Sequence, residues 1–220
     1  MFRRDVFILI AATLVGSVAV FCASLGDTPF FPASLQTSVG ECPKHGPIPA
    51  HWRPILEPDE ASWFGHRLQA LHENPLAPPN AAQEATLRFT LLANGGVATT
   101  VRVVEAEDGR FHLTGKWLKP CRDEGGCLVE KLLSPAEQER LEAAVKPLLR
   151  VPSYGCYGPV DSDISIMEIR DEGTYRMWYQ LGSPNGELGA TGVVLLQLAG
   201  WPLAGNYRPS GSAALRSLPE

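Results

Sequence analysis

Histidine is scarce in this chain of 220 residues, and none of the five (His45, His51, His66, His72 and His112) falls in a pattern that ligates a metal or activates a nucleophile. His66 and His72 stand six apart, on different faces of any helix, which makes them poor co-ligands. Structural zinc draws on four ligands in close pairs, and Cys42 with His45 and His51 has no C-x-x-C or H-x-x-x-H to complete it. There is no G-x-S-x-G elbow, and Gly95-Gly96 and Gly125-Gly126 are turn glycines with no phosphate-binding context around them. The acids suited to glycoside hydrolysis, Asp161, Asp163, Glu168 and Asp171, gather about one strand, where turn formation accounts for them equally well. These absences leave no catalytic residue, no metal and no cofactor to assign.

Positive charge is thin as well. Lys and Arg total 19 against 24 Asp and Glu, a formal net charge of −5, so nothing draws nucleic acid electrostatically. The acids are dispersed in pairs such as Asp59-Glu60, Glu107-Asp108 and Asp171-Glu172, which read as solvated turns.

What the chain does have begins at its start, where Arg3 and Arg4 precede an apolar run over residues 6–21. That is a charged segment followed by a hydrophobic one, the layout of an export leader. The run sits at the upper end of the roughly 7–15 residues of a cleaved leader and just short of the roughly 18 of a spanning helix. The small-residue pairs that would direct cleavage, Cys22/Ser24 and Ser24/Gly26, are not the preferred alanines, and Phe21 is too large to precede a lipidated Cys22. Residues 1–26 are therefore expected to be a signal peptide or, by preference, a retained membrane anchor. The basic N-terminus stays inside, which puts the body on the periplasmic side of the membrane, or free in solution if the leader is cleaved.

Beyond Cys22 the cysteines are even in number, Cys42, Cys121, Cys127 and Cys156, as an oxidising compartment favours. Three pairings are open. The preferred one joins Cys121 to Cys127 across residues 122–126 and Cys42 to Cys156, which would pin the proline-rich segment to the body across a long loop.

Residues 27–83 read as a proline-rich arm with one helix over 59–73, where Ala61, Phe64, Leu68 and Leu71 recur at helical spacing before Asn74-Pro75. Residues 84–202 form the main domain. Leu87, Phe89 and Leu91, then Val97, Thr99, Val101 and Val103, then Phe111, Leu113, Gly115 and Trp117 alternate with polar residues and predict a three-stranded meander. Ser134-Pro135-Ala136-Glu137 predicts a capped helix start, with Pro147 kinking the helix or ending it early. Two strands follow over 164–170 and 174–181. In the first, the switch from Ile164 and Ile166 to Met167 and Ile169 predicts a bulge or a strand covered on both faces. A well-buried helix over 187–199 closes the domain, and the small, polar residues 203–220 are expected to be a disordered tail. This order predicts an α+β fold, an antiparallel sheet of about five strands with helices packed on one face.

Two patches, Leu133-Ser134-Pro135-Ala136-Glu137 and Met167-Glu168-Ile169-Arg170-Asp171-Glu172-Gly173-Thr174-Tyr175-Arg176, together with the order of elements resemble a loosely defined class of exported bacterial α+β domains of unknown function. The resemblance spans residues 87–200, and its motifs are structural ones. The Cys121/Cys127 loop and the glycine-tyrosine loop at 154–158 depart from it. It implies an exported α+β fold and carries no catalytic residue across.

Recognition is the function the residues favour. Tyr154, Tyr157, Trp178 and Tyr179 lie in or beside a glycine-proline loop, where amphipathic aromatics suit protein or glycan contacts; their rival role is to cover the sheet beneath a helix. The leading expectation is a non-catalytic envelope protein that binds or inhibits another exported protein. A membrane-anchored structural or assembly component comes next, and a hydrolase third. Intact-mass measurement with alkylation before and after reduction is expected to find four of the five cysteines blocked until reduced. Four freely alkylated cysteines in the body would remove the argument for an oxidising compartment.

Overall fold

The computed structural model describes residues 29–40, 42, 53–76, 85–93, 98–118, 128–157, 163–171, 173–182 and 186–201. The leader (residues 1–26), Cys121, Cys127 and the tail (203–220) lie outside them. No helix among the described residues is long and apolar enough to cross a membrane.

The alternating segments form strands β1 (Thr86–Leu92), β2 (Ala98–Glu105), β3 (Phe111–Leu118), β6 (Ile164–Asp171) and β7 (Thr174–Leu181), and two more strands join them, β4 (Leu128–Leu132) and β5 (Tyr154–Cys156). Together they make a seven-stranded sheet in the order β4-β3-β2-β1-β6-β7-β5, rather than one of five. All described pairings are antiparallel except β5 with β7. Both added strands lie at sheet edges, where propensity says little. β4 carries Glu130 and Lys131 in its middle, and β5 is three residues long, held by its neighbours rather than by a pattern of its own.

Helices cover both faces of the sheet, which corrects the one-face expectation. On one side α2 (Pro135–Leu148) and α3 (Gly186–Leu198) pack over Phe89, Val101, Leu113, Met167 and Trp178. On the other, α1 (Pro58–Ala70) lays Phe64 and Leu68 over Ile166, Met177 and Tyr179. The proline-rich segment joins that second layer through Phe31, Leu35, Ile55 and Leu56, residues too irregularly spaced to show a period. With cover on both sides, β6 buries consecutive residues from Ser165 to Arg170, and its register runs unbroken against β1 and β7. The broken alternation thus marks two-sided burial and no bulge. α3, apolar around most of its circumference, is buried as its sequence predicts.

The cap predicted for α2 forms in full: Ser134 accepts from the Glu137 N–H, and the Glu137 carboxylate accepts from the Ser134 N–H at 2.9 Å. Pro147 stands in its last turn. The preferred bond Cys42–Cys156 is present, with Cα atoms 5.2 Å apart, and ties the arm to β5. Contact there is close enough to require glycine: a Cβ on Gly155 would lie 2.2 Å from the Ile55 carbonyl oxygen, and one on Gly40 2.6 Å from that of Ser153.

The α1 side of the sheet is apolar over β7 and charged over β1 to β3. Arg88, fully buried, sends Nε and Nη2 to the two oxygens of the buried Glu168 at 2.7 and 2.8 Å, a bidentate pair. Burial alone would lower the Arg88 pKa, but Glu168, with help from Glu73, outweighs it and holds the guanidinium charged. Tyr175 adds a hydroxyl hydrogen bond to Glu168 at 2.8 Å, and burial first, then Glu168, raises the phenol well above its ordinary range. The chain leaving α1 is fastened over this patch. The Asn74 carbonyl accepts from Arg88 at 2.7 Å, and the buried Glu73 carboxylate lies 2.7 Å from Lys116, 3.5 Å from Arg102 and 3.6 Å from Arg88. Glu168→Ala, which strands the Arg88 charge, is expected to cost about 3–5 kcal/mol in urea unfolding. Replacing both partners with apolar residues (Arg88→Met, Glu168→Leu) is expected to recover most of that loss.

Candidate binding cleft

The four aromatics singled out in the sequence are divided between the two sides of the sheet and do not form a common surface. Trp178 and Tyr154 are buried in the α2 and α3 layer, where the indole N–H reaches the Val151 and Pro152 carbonyls at 3.1 and 2.9 Å. Tyr179 is buried on the α1 side and donates to Glu60 at 3.0 and 3.1 Å. The half-buried Tyr157 packs edge-on to it at 5.7 Å, beneath the Arg53 guanidinium at 4.8 Å. Burial lifts the Tyr157 phenol to about 12, and it raises the Glu60 carboxyl against the hydrogen bonds that oppose it. The split follows from strand geometry, since Trp178 and Tyr179 are neighbours in β7 and neighbours point to opposite faces.

Of the residues read as possible acids and ligands, Asp161, His45 and His51 lie outside the described residues, and the others are engaged or dispersed. Both Glu168 oxygens are taken by Arg88, one also by Tyr175. His112 is exposed on β3. Among the described residues no three His, Cys, Asp or Glu side chains are placed to hold a metal.

A cleft opens instead where α2 leaves the end of the sheet uncovered. β1, β2 and β6 contribute Leu87, Val103 and Ile169, Phe111 closes one side from the start of β3, and α2 and its exit supply Leu141, Val145 and Leu149. The volume is about 340 Å³, within the roughly 300–1,000 Å³ of small-molecule sites. Leu149 is 43 % exposed at the mouth. The exposed Glu105, Glu142 and Asp171 stand on the rim with Lys146. Arg170 also lines the cleft, but its guanidinium donates to the Leu76 carbonyl at 3.2 Å. An apolar floor under a mouth with more carboxylates than cations suits an apolar group that carries a positive charge.

The wall is held from three directions. The Ser134–Glu137 capping box fixes its start, Lys131 on β4 reaches Glu137 at 2.6 Å, and Thr191 of α3 donates to the Ala144 carbonyl at 2.9 Å. Sequence patterning did not point to the cleft, whose lining comes from five separate elements. The one local signal was the apolar row Leu141, Val145, Leu149, which runs on past Pro147 to the end of the helix. No protein-family model matches the chain, and no curated protein matches it significantly.

The Lys131 hydrogen bond, then the Ser134 N–H, pull the Glu137 carboxyl down from 4.5 to about 2. A folded-state pKa below the unfolded one gives stabilisation that is complete above pH 4.5 and lost as the pH falls towards 2. Thermal melts across that window are expected to fall for the wild type, with a flatter acid limb in Glu137→Gln.

Proposed function

We propose that this is a non-catalytic binding protein that acts outside the cytoplasm, on the periplasmic side of the membrane or secreted, and engages another exported protein. The partner seats an apolar side chain in the cleft beside α2 and sets a neighbouring basic residue against its rim. The reading is carried by one observation, the joining of an apolar floor (Leu87, Val103, Leu141, Val145, Ile169) to the carboxylates Glu105, Glu142 and Asp171. Apolar contact supplies affinity in such a site, and the rim charges select the partner and its orientation. The location outside the cytoplasm rests on the apolar run at residues 6–21, with Arg3 and Arg4 before it, and is supported by Cys42–Cys156, a bond that persists where the medium is oxidising. The non-catalytic reading rests on the occupied oxygens of Glu168.

Methyl NMR of the full chain, titrated with a blocked leucyl-lysine and a blocked leucyl-glutamate peptide, tests it. Shifts at Leu141, Val145 and Ile169 are expected with the first peptide and much weaker ones with the second, and Val145→Asp should abolish both. A photo-crosslinker at Leu149 should trap a partner in cells, and Val145→Asp should prevent the trapping. Methyl groups that respond to neither peptide, or turnover of a peptide substrate, would overturn the proposal.

A further inference from the structure

The two edges of the sheet differ. At the β5 edge the arm lies across the strand, bonded through Cys42–Cys156 and paired with itself at Val39 and Pro54. At the other edge, among the described residues, β4 pairs with β3 alone. The Leu133 N–H donates to the Phe111 carbonyl at 2.9 Å. By alternation Val129 and Lys131 also turn their backbone groups to β3, while Leu128, Glu130 and Leu132 turn theirs outward. The side chains of the same three residues lie on the α1 side, opposite Lys116, Thr114 and His112. That end of the face is open, with Leu128 51 %, Leu132 43 % and the nearby Leu118 37 % exposed.

We infer that β4 accepts an extended segment of a partner protein as an added strand, and that the segment reads apolar, any, basic, any, apolar. Backbone rungs give such additions their affinity, and alternate side chains give them selectivity. Here the alternate positions are Leu128, Glu130 and Leu132, which want an apolar, a cationic and an apolar residue opposite them. The pattern is symmetrical about its basic residue, so either strand direction satisfies it. Lys131 points to the other face and is already paired with Glu137 at 2.6 Å.

Charge also argues against a second copy of the chain. Antiparallel pairing that uses all three rungs places Glu130 opposite the copy's own Glu130, a destabilising like-charge pair. Sliding the copy to avoid that sets Leu128 or Leu132 against the carboxylate and loses a rung. Glu130 therefore guards the edge against self-association while marking it for a cationic strand.

Two short fluorescent peptides, alternating valine and threonine about a central lysine or a central glutamate, test this by anisotropy with the full chain. The lysine peptide is expected to bind tighter by about fivefold, the swing between an attractive and a repulsive cross-strand pair. Glu130→Lys should invert the order. Glu130→Pro, which removes an outward N–H and leaves the β3 rungs in place, should weaken both peptides, with unchanged circular dichroism showing that each variant folds. Equal binding of the two peptides, binding of neither, or sedimentation showing a self-paired dimer that Glu130→Pro dissociates would overturn the inference.

Discussion

The Arg88–Glu168 pair fixes how the two halves of the sheet meet. The residues face each other in register across β1 and β6, which among the described strands join the N-terminal meander to the C-terminal ones. A slip of one residue would turn each side chain to the wrong face, and a slip of two would leave two buried charges apart. Hydrophobic contact alone would tolerate more, because β6 is apolar on both sides over much of its length. The same guanidinium reaches the Asn74 carbonyl and draws in Glu73, so the path of the chain out of α1, and with it the cover on that face, follows from the pair.

Much of this architecture was legible in the sequence. The five longer strands, the capped start of α2 and the burial of α3 follow from periodicity and capping chemistry, which act over a few residues. What escaped was decided at longer range. β4 and β5 owe their state to the strands beside them, and the second layer is built partly from Phe31, Leu35, Ile55 and Leu56, whose shared face exists only after the arm has folded back. The aromatics show the same limit. Tyr154, Tyr157, Trp178 and Tyr179 are close in sequence and suit recognition by type, yet the pleat of β7 sends Trp178 and Tyr179 into separate layers. Of the cleft only the apolar row at the end of α2 was legible, because the cleft records where that helix stops relative to strands that come both before and after it in the chain.

The molecule thus combines a rigid, two-sided core with openness at a few places on its border. One sheet edge is covered by the arm, under a disulfide and two glycines that permit the close approach. The other ends in β4, and the cleft lies where the strands outrun their helix. The Arg88–Glu168 pair at the centre of the ionic network is fully buried, beyond the reach of a visiting ligand.

The strand order also carries a consequence in time. Synthesis delivers β1 to β4 well before β6, and Glu168 follows Arg88 by 80 residues. During that interval one edge of β1 lies bare, as a nascent meander with apolar residues on its other face. Arg88 then stands on the face of that bare strand without Glu168, and a charge so placed discourages bare strands from pairing with one another. The side chain that later locks the finished sheet is, until its partner arrives, the nascent chain's defence against aggregation.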